Sequence, residues 1–236
     1  MTEKIITNKR FGEALEIREW IKPKTYEVEA LAIILGLNVD TYPIEKRVWK
    51  VWEYVVKNME YPLLLGMVPV DSHFVTDYFY KHRSNAFDFW YYPEETLSDG
   101  TGDCEDMGIL ITSLLRTFIS EYNALAVIGK VLDANGKLLG YHGWAESQLS
   151  VAGGSKTNWY VLEGTLDIMP DGWITREEAY KEGQDFQYVP MIYFNDVTLE
   201  ILEDIDFGKR YKKFIPPHIT EKKLWVIKKI VKLIKK

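Results

Sequence analysis

The sequence predicts an α+β fold, and three observations carry that expectation. Helical apolar spacing dominates the first half, over residues 25–37, 43–58 and 104–118. Extended, β-prone runs follow at 124–132, 137–149, 158–165 and 190–194. Asp133-Ala134-Asn135-Gly136 joins the first two of these runs, and Asn-Gly at that place is a hairpin signal because a type I′ turn needs two residues at positive φ. Helices followed by an antiparallel meander point to a sheet packed on the helix that starts near residue 104.

In chain order, residues 1–23 read as a polar start and a short mixed segment ending at Pro23. Thr25 to Leu37 reads as a helix stopped near Gly36 or Asn38. Pro43 suits the first turn of a second helix that runs to about Asn58, with Val48, Trp49, Val51, Trp52, Val55 and Val56 on its apolar faces. Tyr61 to Pro93 is aromatic and irregular, and packing with partial exposure is expected there. Glu177 to Gly183 reads as a short helix between the last two strand runs. The Asp-x-Asn-Gly turn lacks the remaining ligands of a calcium loop, so the hairpin reading stands.

Composition bounds the rest. A chain of 236 residues that is 47% hydrophobic and 14% aromatic builds a substantial core. One cysteine excludes an intrachain disulfide and fits a reducing compartment. Met1 to Arg10 has no apolar run of the signal-peptide kind, so the expected location is cytoplasmic. Ala30 to Leu37 is too short to span a bilayer, which needs roughly 20 residues. Net charge is −6, unevenly spread: from Lys209 onward there are eleven bases and one acid, while the remainder carries −16. An acidic body with a basic tail argues against a nucleic-acid-binding core. If helical, Glu221 to Lys236 is amphipathic, with Leu224, Ile227 and Ile230 on one half and Lys228, Lys232 and Lys235 on the other. It reads as a helix docked on the acidic body or as one in contact with a membrane surface or a partner. The expected division is residues 1–44 as an N-terminal helical extension, 45–200 as the catalytic domain and 201–236 as a basic extension.

The candidate site begins at Cys104. Asp103 stands where an N-cap belongs, and Glu105 and Asp106 fall in the first helical turn. Cys104 therefore sits among backbone N–H groups that favour a thiolate, while the flanking carboxylates oppose it. Nucleophilic cysteine chemistry also needs a base within reach and a group to orient that base. The second strand run carries His142 and the third carries Glu163. As sheet neighbours, the two lie side by side on the face toward the helix N-terminus, which yields Cys104 as nucleophile, His142 as base and acid, and Glu163 as orienting carboxylate. A lone cysteine is more often a small buried hydrophobe, and it is the partners downstream that shift the reading toward catalysis.

The block Pro93-Glu94-Glu95-Thr96-Leu97 with Gly100-x-Gly102-Asp103-Cys104-Glu105-Asp106 resembles the cysteine motif of the transglutaminase-like superfamily. His142-x-Trp144-x-Glu146 resembles its histidine strand, and Trp159-Tyr160-Val161-Leu162-Glu163-x-Thr165 its third strand, which usually ends Asp-x-Thr. The motifs occur in order over about residues 45–170; Glu163 in the Asp place is the departure, with Asp167 as the fallback. The resemblance implies a papain-like core and closest kinship, by motif, with bacterial and archaeal cysteine proteinases of this type. It implies that Cys104 cleaves an amide bond in a protein or peptide substrate through an acyl-enzyme. Transfer of the acyl group to an amine, and a non-enzymatic binding or structural module that keeps the fold, are the alternatives. Cys104 N–H is one oxyanion donor, and Trp90 and Trp144 are the candidates for the second.

No cofactor is required by that chemistry. In related bacterial proteinases acids flanking the cysteine take part in calcium binding, and Asp103, Glu105 and Asp99 match that position. Calcium asks for six to eight oxygens, and capping explains the same acids. A phosphate loop at Gly100-x-Gly102 is excluded, because no Lys follows and three acids do. Zinc finds little support: there is no second cysteine, and His73, His82 and His218 sit in no ligand spacing.

Overall fold

The computed structural model describes residues 4–10, 13–61, 90–151, 157–203 and 205. Strands β1 (Ile6–Arg10) and β2 (Glu13–Glu16) form an antiparallel pair, followed by a 3-10 turn at Ile17–Trp20. Helices α1 (Tyr26–Ile34), α2 (Ile44–Asn58), α3 (Pro93–Asp99) and α4 (Cys104–Leu115) come next. Then come β3 (Ala124–Leu132), β4 (Leu138–Leu149), β5 (Asn158–Leu162) and β6 (Ile174–Thr175). Helix α5 (Arg176–Tyr180) precedes β7 (Gln187–Phe194) and β8 (Leu199–Ile201). Strands β3 to β8 make one antiparallel sheet in the order β6-β5-β4-β3-β7-β8. The architecture is α+β, as the sequence predicts.

Two departures are informative. The segment read as an N-terminal helical extension opens with the β1–β2 hairpin. Its alternation spans too few residues to register as a period, and tertiary contacts hold it: Trp20 Nε1 donates to Thr7 Oγ1 at 2.7 Å, and Thr7 Oγ1 to the Leu15 carbonyl at 3.2 Å. That segment also shares the core, since Ile17, Trp20 and Ile21 pack with Trp90, Ile109, Ile192 and Phe194. The second departure is topological. Strands β3, β4 and β5 run as the expected meander, but β7 returns to the far edge of β3, because β6 takes the outer edge of β5. The aromatic stretch 62–89, with His73 and His82, and residues 206–236, with the basic segment and His218, lie outside the described residues. Among the described residues, no helix is long and apolar enough to cross a membrane.

Helix α4 is the centre of the molecule, and all twelve of its residues are buried. One side meets α2 through Met107, Leu110, Ile111 and Leu114 against Val51, Trp52 and Val55. The other lies on the sheet. Alternation along β4 and its neighbours sends Ala145, Leu162 and Ala124 into the α4 core, and Trp144, Val161, Val127 and Leu125 to the opposite face beside Ala179.

Helix and strand touch backbone to backbone. A Cβ on Gly143 would stand 2.7 Å from Glu105 Cα, and one on Gly108 would stand 3.1 Å from the Trp144 carbonyl. A side chain at Gly143 would force the main chains of α4 and β4 apart, and one at Gly108 would need them to give by a few tenths of an ångström. Replacing Gly143 with Ala is expected to cost about 1–3 kcal/mol through overpacking against main chain that has no rotamer to change. Urea melts of the two proteins measure this, and an unchanged midpoint would show that the contact has slack.

Candidate active site

The start of α4 is held from two directions. Asp103 is the N-cap, and the Asp106 carboxylate accepts the Asp103 N–H at 3.2 Å and the Tyr91 N–H at 2.8 Å. The preceding turn is clamped to the end of α2, since Glu60 N–H donates to the Gly100 carbonyl at 2.9 Å and Gly102 N–H to the Glu60 carbonyl at 3.2 Å. Cys104 is thereby fixed at the first helical position with 2% of its surface exposed. Its thiol donates to Glu105 Oε2 at 3.1 Å.

His142 lies on β4 beside Gly143, the residue in main-chain contact with Glu105. Its Nε2 is 2.6 Å from Glu163 Oε2. The Tyr188 hydroxyl donates to that same oxygen at 2.8 Å, and Thr165 occupies Oε1 through its N–H at 2.9 Å and its hydroxyl at 2.7 Å. Four donors thus converge on one buried carboxylate. Burial pushes Glu163 up, but the facing His142 charge and hydrogen bond, with the Thr165 donors, outweigh it and hold the carboxyl at about 2. An ionised Glu163 can only accept, so His142 Nε2 carries the hydrogen and Nδ1 is the nitrogen that can take a proton.

The face differs from the expectation. His142 pairs across to Gly129 and Trp144 to Val127, so the His142 side chain leaves β4 on the side of Trp144 and Tyr188, not of Ala145 and the α4 core. Strand β5 ends at Leu162 opposite Ala145. Among the described residues no strand pairs with β4 on that edge nearer His142, and the first turn of α4 meets β4 at the neighbouring Gly143. Glu163 follows directly after the end of β5, and its carbonyl is held by Trp52 Nε1 of α2 at 2.8 Å. Asp167 is exposed, so the carboxylate beside His142 is Glu163.

A second buried network backs the first. Trp144 stacks beside His142 with ring centroids 6.2 Å apart, and its Nε1 donates to Glu146 Oε1 at 2.9 Å. Trp144 is therefore engaged elsewhere and is no oxyanion donor, contrary to its place among the candidates. Trp90 packs edge-on against Trp20, with centroids 5.3 Å apart. Glu146 also accepts from Tyr180 and from the Arg176 guanidinium, whose Nε is 2.6 Å away. Burial pushes Glu146 up, and Arg176, Tyr180 and Trp144 offset part of that. Arg176 also lies over the Trp159 ring, 4.2 Å from its centroid.

No family model and no curated protein matches the chain. Solved structures of Legionella pneumophila LapG are similar to it. One is 16% identical over 77% of this chain and 88% of LapG, with a TM-score of 0.48. The EGTA-treated form is 14% identical over 82% of this chain and 90% of LapG, and the calcium-bound form is 14% identical over 88% of this chain and 99% of LapG, each with a TM-score of 0.49.

Asp103, Cys104 and Glu105 place one ligand atom each within 4.8 Å of one another. As a calcium shell the set is incomplete. Two carboxylates supply at most about four of the six to eight oxygens calcium takes, and the third atom is a sulfur.

Sequence reasoning did not reach Tyr188, Arg176 or Tyr180. Each comes from an element far along the chain, and no local motif marks it. The depressed Glu163 carboxyl has a measurable consequence. Between about pH 4.5 and about pH 2 the unfolded chain binds a proton that folded Glu163 refuses, so stability falls as pH drops through that window. Urea melts across its upper part are expected to show a shallower pH slope for Glu163→Gln than for the native chain; equal slopes would place Glu163 at an ordinary value.

Proposed function

We propose that the chain is a thiol-dependent hydrolase of the transglutaminase-like kind, cleaving an amide bond in a protein or peptide. The observation that carries this reading is the buried His142–Glu163 pair, 2.6 Å apart, beside the helix terminus that presents Cys104. A buried pair of this kind is costly to desolvate, and its position next to the sole thiol of the chain supplies a reason to keep it.

In the proposed reaction His142 Nδ1 takes the Cys104 thiol proton and Sγ attacks the amide carbonyl carbon. The carbonyl oxygen becomes an oxyanion that accepts from the Cys104 N–H at the start of the helix. His142 returns the proton to the leaving nitrogen, the C–N bond breaks, and a thioester remains on Cys104. Water, deprotonated by His142, attacks the thioester; the acid product leaves and the thiol is restored. Glu163 stays ionised throughout and balances the imidazolium. Glu105 competes for the same proton, because the thiol donates to its Oε2 at 3.1 Å.

With one cysteine in the chain, a peptide probe bearing a thiol-reactive group reports on this site alone. Mass spectrometry is expected to find the adduct on Cys104. Cys104→Ala is expected to lose both labelling and hydrolysis while its melting temperature stays within a few degrees, since Ala leaves only a small void, about 1 kcal/mol or less. Full hydrolysis by that variant would overturn the reading. An added amine that diverts the acyl product would make the activity transfer rather than hydrolysis, and a native Cys104 inert to iodoacetamide would favour a non-enzymatic module.

A further inference from the structure

We propose that Tyr188 is a positioning residue of this site: its phenol locks the Glu163 carboxylate and, through it, the orientation and proton affinity of the His142 ring. The inference rests on the reading of Cys104, His142 and Glu163 given above.

The geometry is specific. Tyr188 and His142 donate to the same oxygen, Glu163 Oε2, at 2.8 and 2.6 Å, while Thr165 saturates Oε1. With Oε1 taken, the carboxylate cannot rotate to present its other oxygen to His142 without breaking two bonds. The Tyr188 ring also meets His142 edge-on at 5.7 Å between centroids and Trp144 at 5.0 Å. His142 is thus bounded by Tyr188 and Trp144 on the ring and by Glu163 at its Nε2 end. Burial, the Glu163 charge and the nearby Cys104 all push the Tyr188 phenol well above its ordinary value, so it remains a donor.

A register shift puts it there. Ile128 pairs with Ile192, but the next residue, Gly129, pairs with Pro190, so β7 carries Met191 as an extra residue. Because side chains alternate with period two, one inserted residue moves every later side chain to the other face. Without it Tyr188 would share the face of Ile192 in the α4 core. With it Tyr188 lies opposite Val131, on the face of Gly129 and His142. Pro190, which cannot donate to a ladder, stands at this irregularity, where it is tolerated.

Removing one donor leaves the Glu163 carboxylate less satisfied, so it holds the His142 proton more tightly. In Tyr188→Phe, NMR of the His142 ring is expected to show its titration midpoint moving to higher pH by about 0.5–1 unit, with the fold intact. Substrate turnover is expected to fall about 10- to 100-fold in kcat with KM changed less than about 2-fold, because the defect is in orientation rather than in binding. Site-specific 3-fluorotyrosine at 188 keeps the shape and donates more strongly, so the midpoint is expected to move the other way, and this second replacement answers the question if Phe disturbs packing. An unmoved midpoint in both, or a shift of the same sign in both, would overturn the proposal and leave Tyr188 as packing alone. The ring titration needs no substrate, so it tests Tyr188 even if hydrolysis is not found. Loss of hydrolysis in the native chain would count against the function and not against this positioning.

Discussion

The molecule depends on one close contact, the main chain of α4's first turn lying against the main chain of β4. Gly143 meets Glu105 and Gly108 meets Trp144 with no side chain between them. A helix normally stands about 10 Å from a sheet, separated by side chains of both, as two packed sheets do. Here two glycines close that gap. The consequence is chemical as well as structural: the residue before Gly143 is His142 and the residue before Glu105 is Cys104. The same approach explains why α4 is buried all round, for it is enclosed by the sheet on one side and by α1 and α2 on the other.

Around this contact the chain buries an unusual set of charges. Asp103, Glu105, Asp106, His142, Glu146 and Glu163 are each less than 5% exposed. Their satisfaction differs in kind. Asp106 is held by backbone N–H groups, Glu146 by a guanidinium, a phenol and an indole, and Glu163 by a histidine, a phenol and a threonine. Asp103 and Glu105 are different, because they lie against the thiol itself. A fold selected for stability alone gains little from ion pairs taken out of water. The proposed reaction would gain from them, because fixed, dry dipoles and charges stabilise charge that develops in a transition state.

The open edge of β4 is the second constraint. If β5 continued past Leu162 it would cover the strand beside His142. Instead the chain turns at Glu163, and Gly164 packs its backbone against Met107 of α4, where a Cβ would stand 2.7 Å from the Met107 Cβ. The end of one strand thus does two things: it leaves His142 accessible from the helix terminus, and it delivers Glu163 to the ring.

Much was legible in local sequence. The long helices and the four main strands follow from periodicity, the β3–β4 turn from Asn135-Gly136, and the start of α4 from Asp103 and the acids behind it. These are properties of neighbouring residues, and short-range sterics, capping and amphipathicity decide them. Cys104, His142 and Glu163 were nominated by residue type and order. What only the tertiary structure decided is their arrangement: the face His142 leaves from, the four donors on Glu163, the engagement of Trp144 with Glu146, and the arrival of Tyr188. Those features turn on where β5 stops and on one extra residue in β7, and both are settled by pairing between segments distant in sequence. Local propensity carries no information on such register, whereas a shift of one residue exchanges the two faces of a strand.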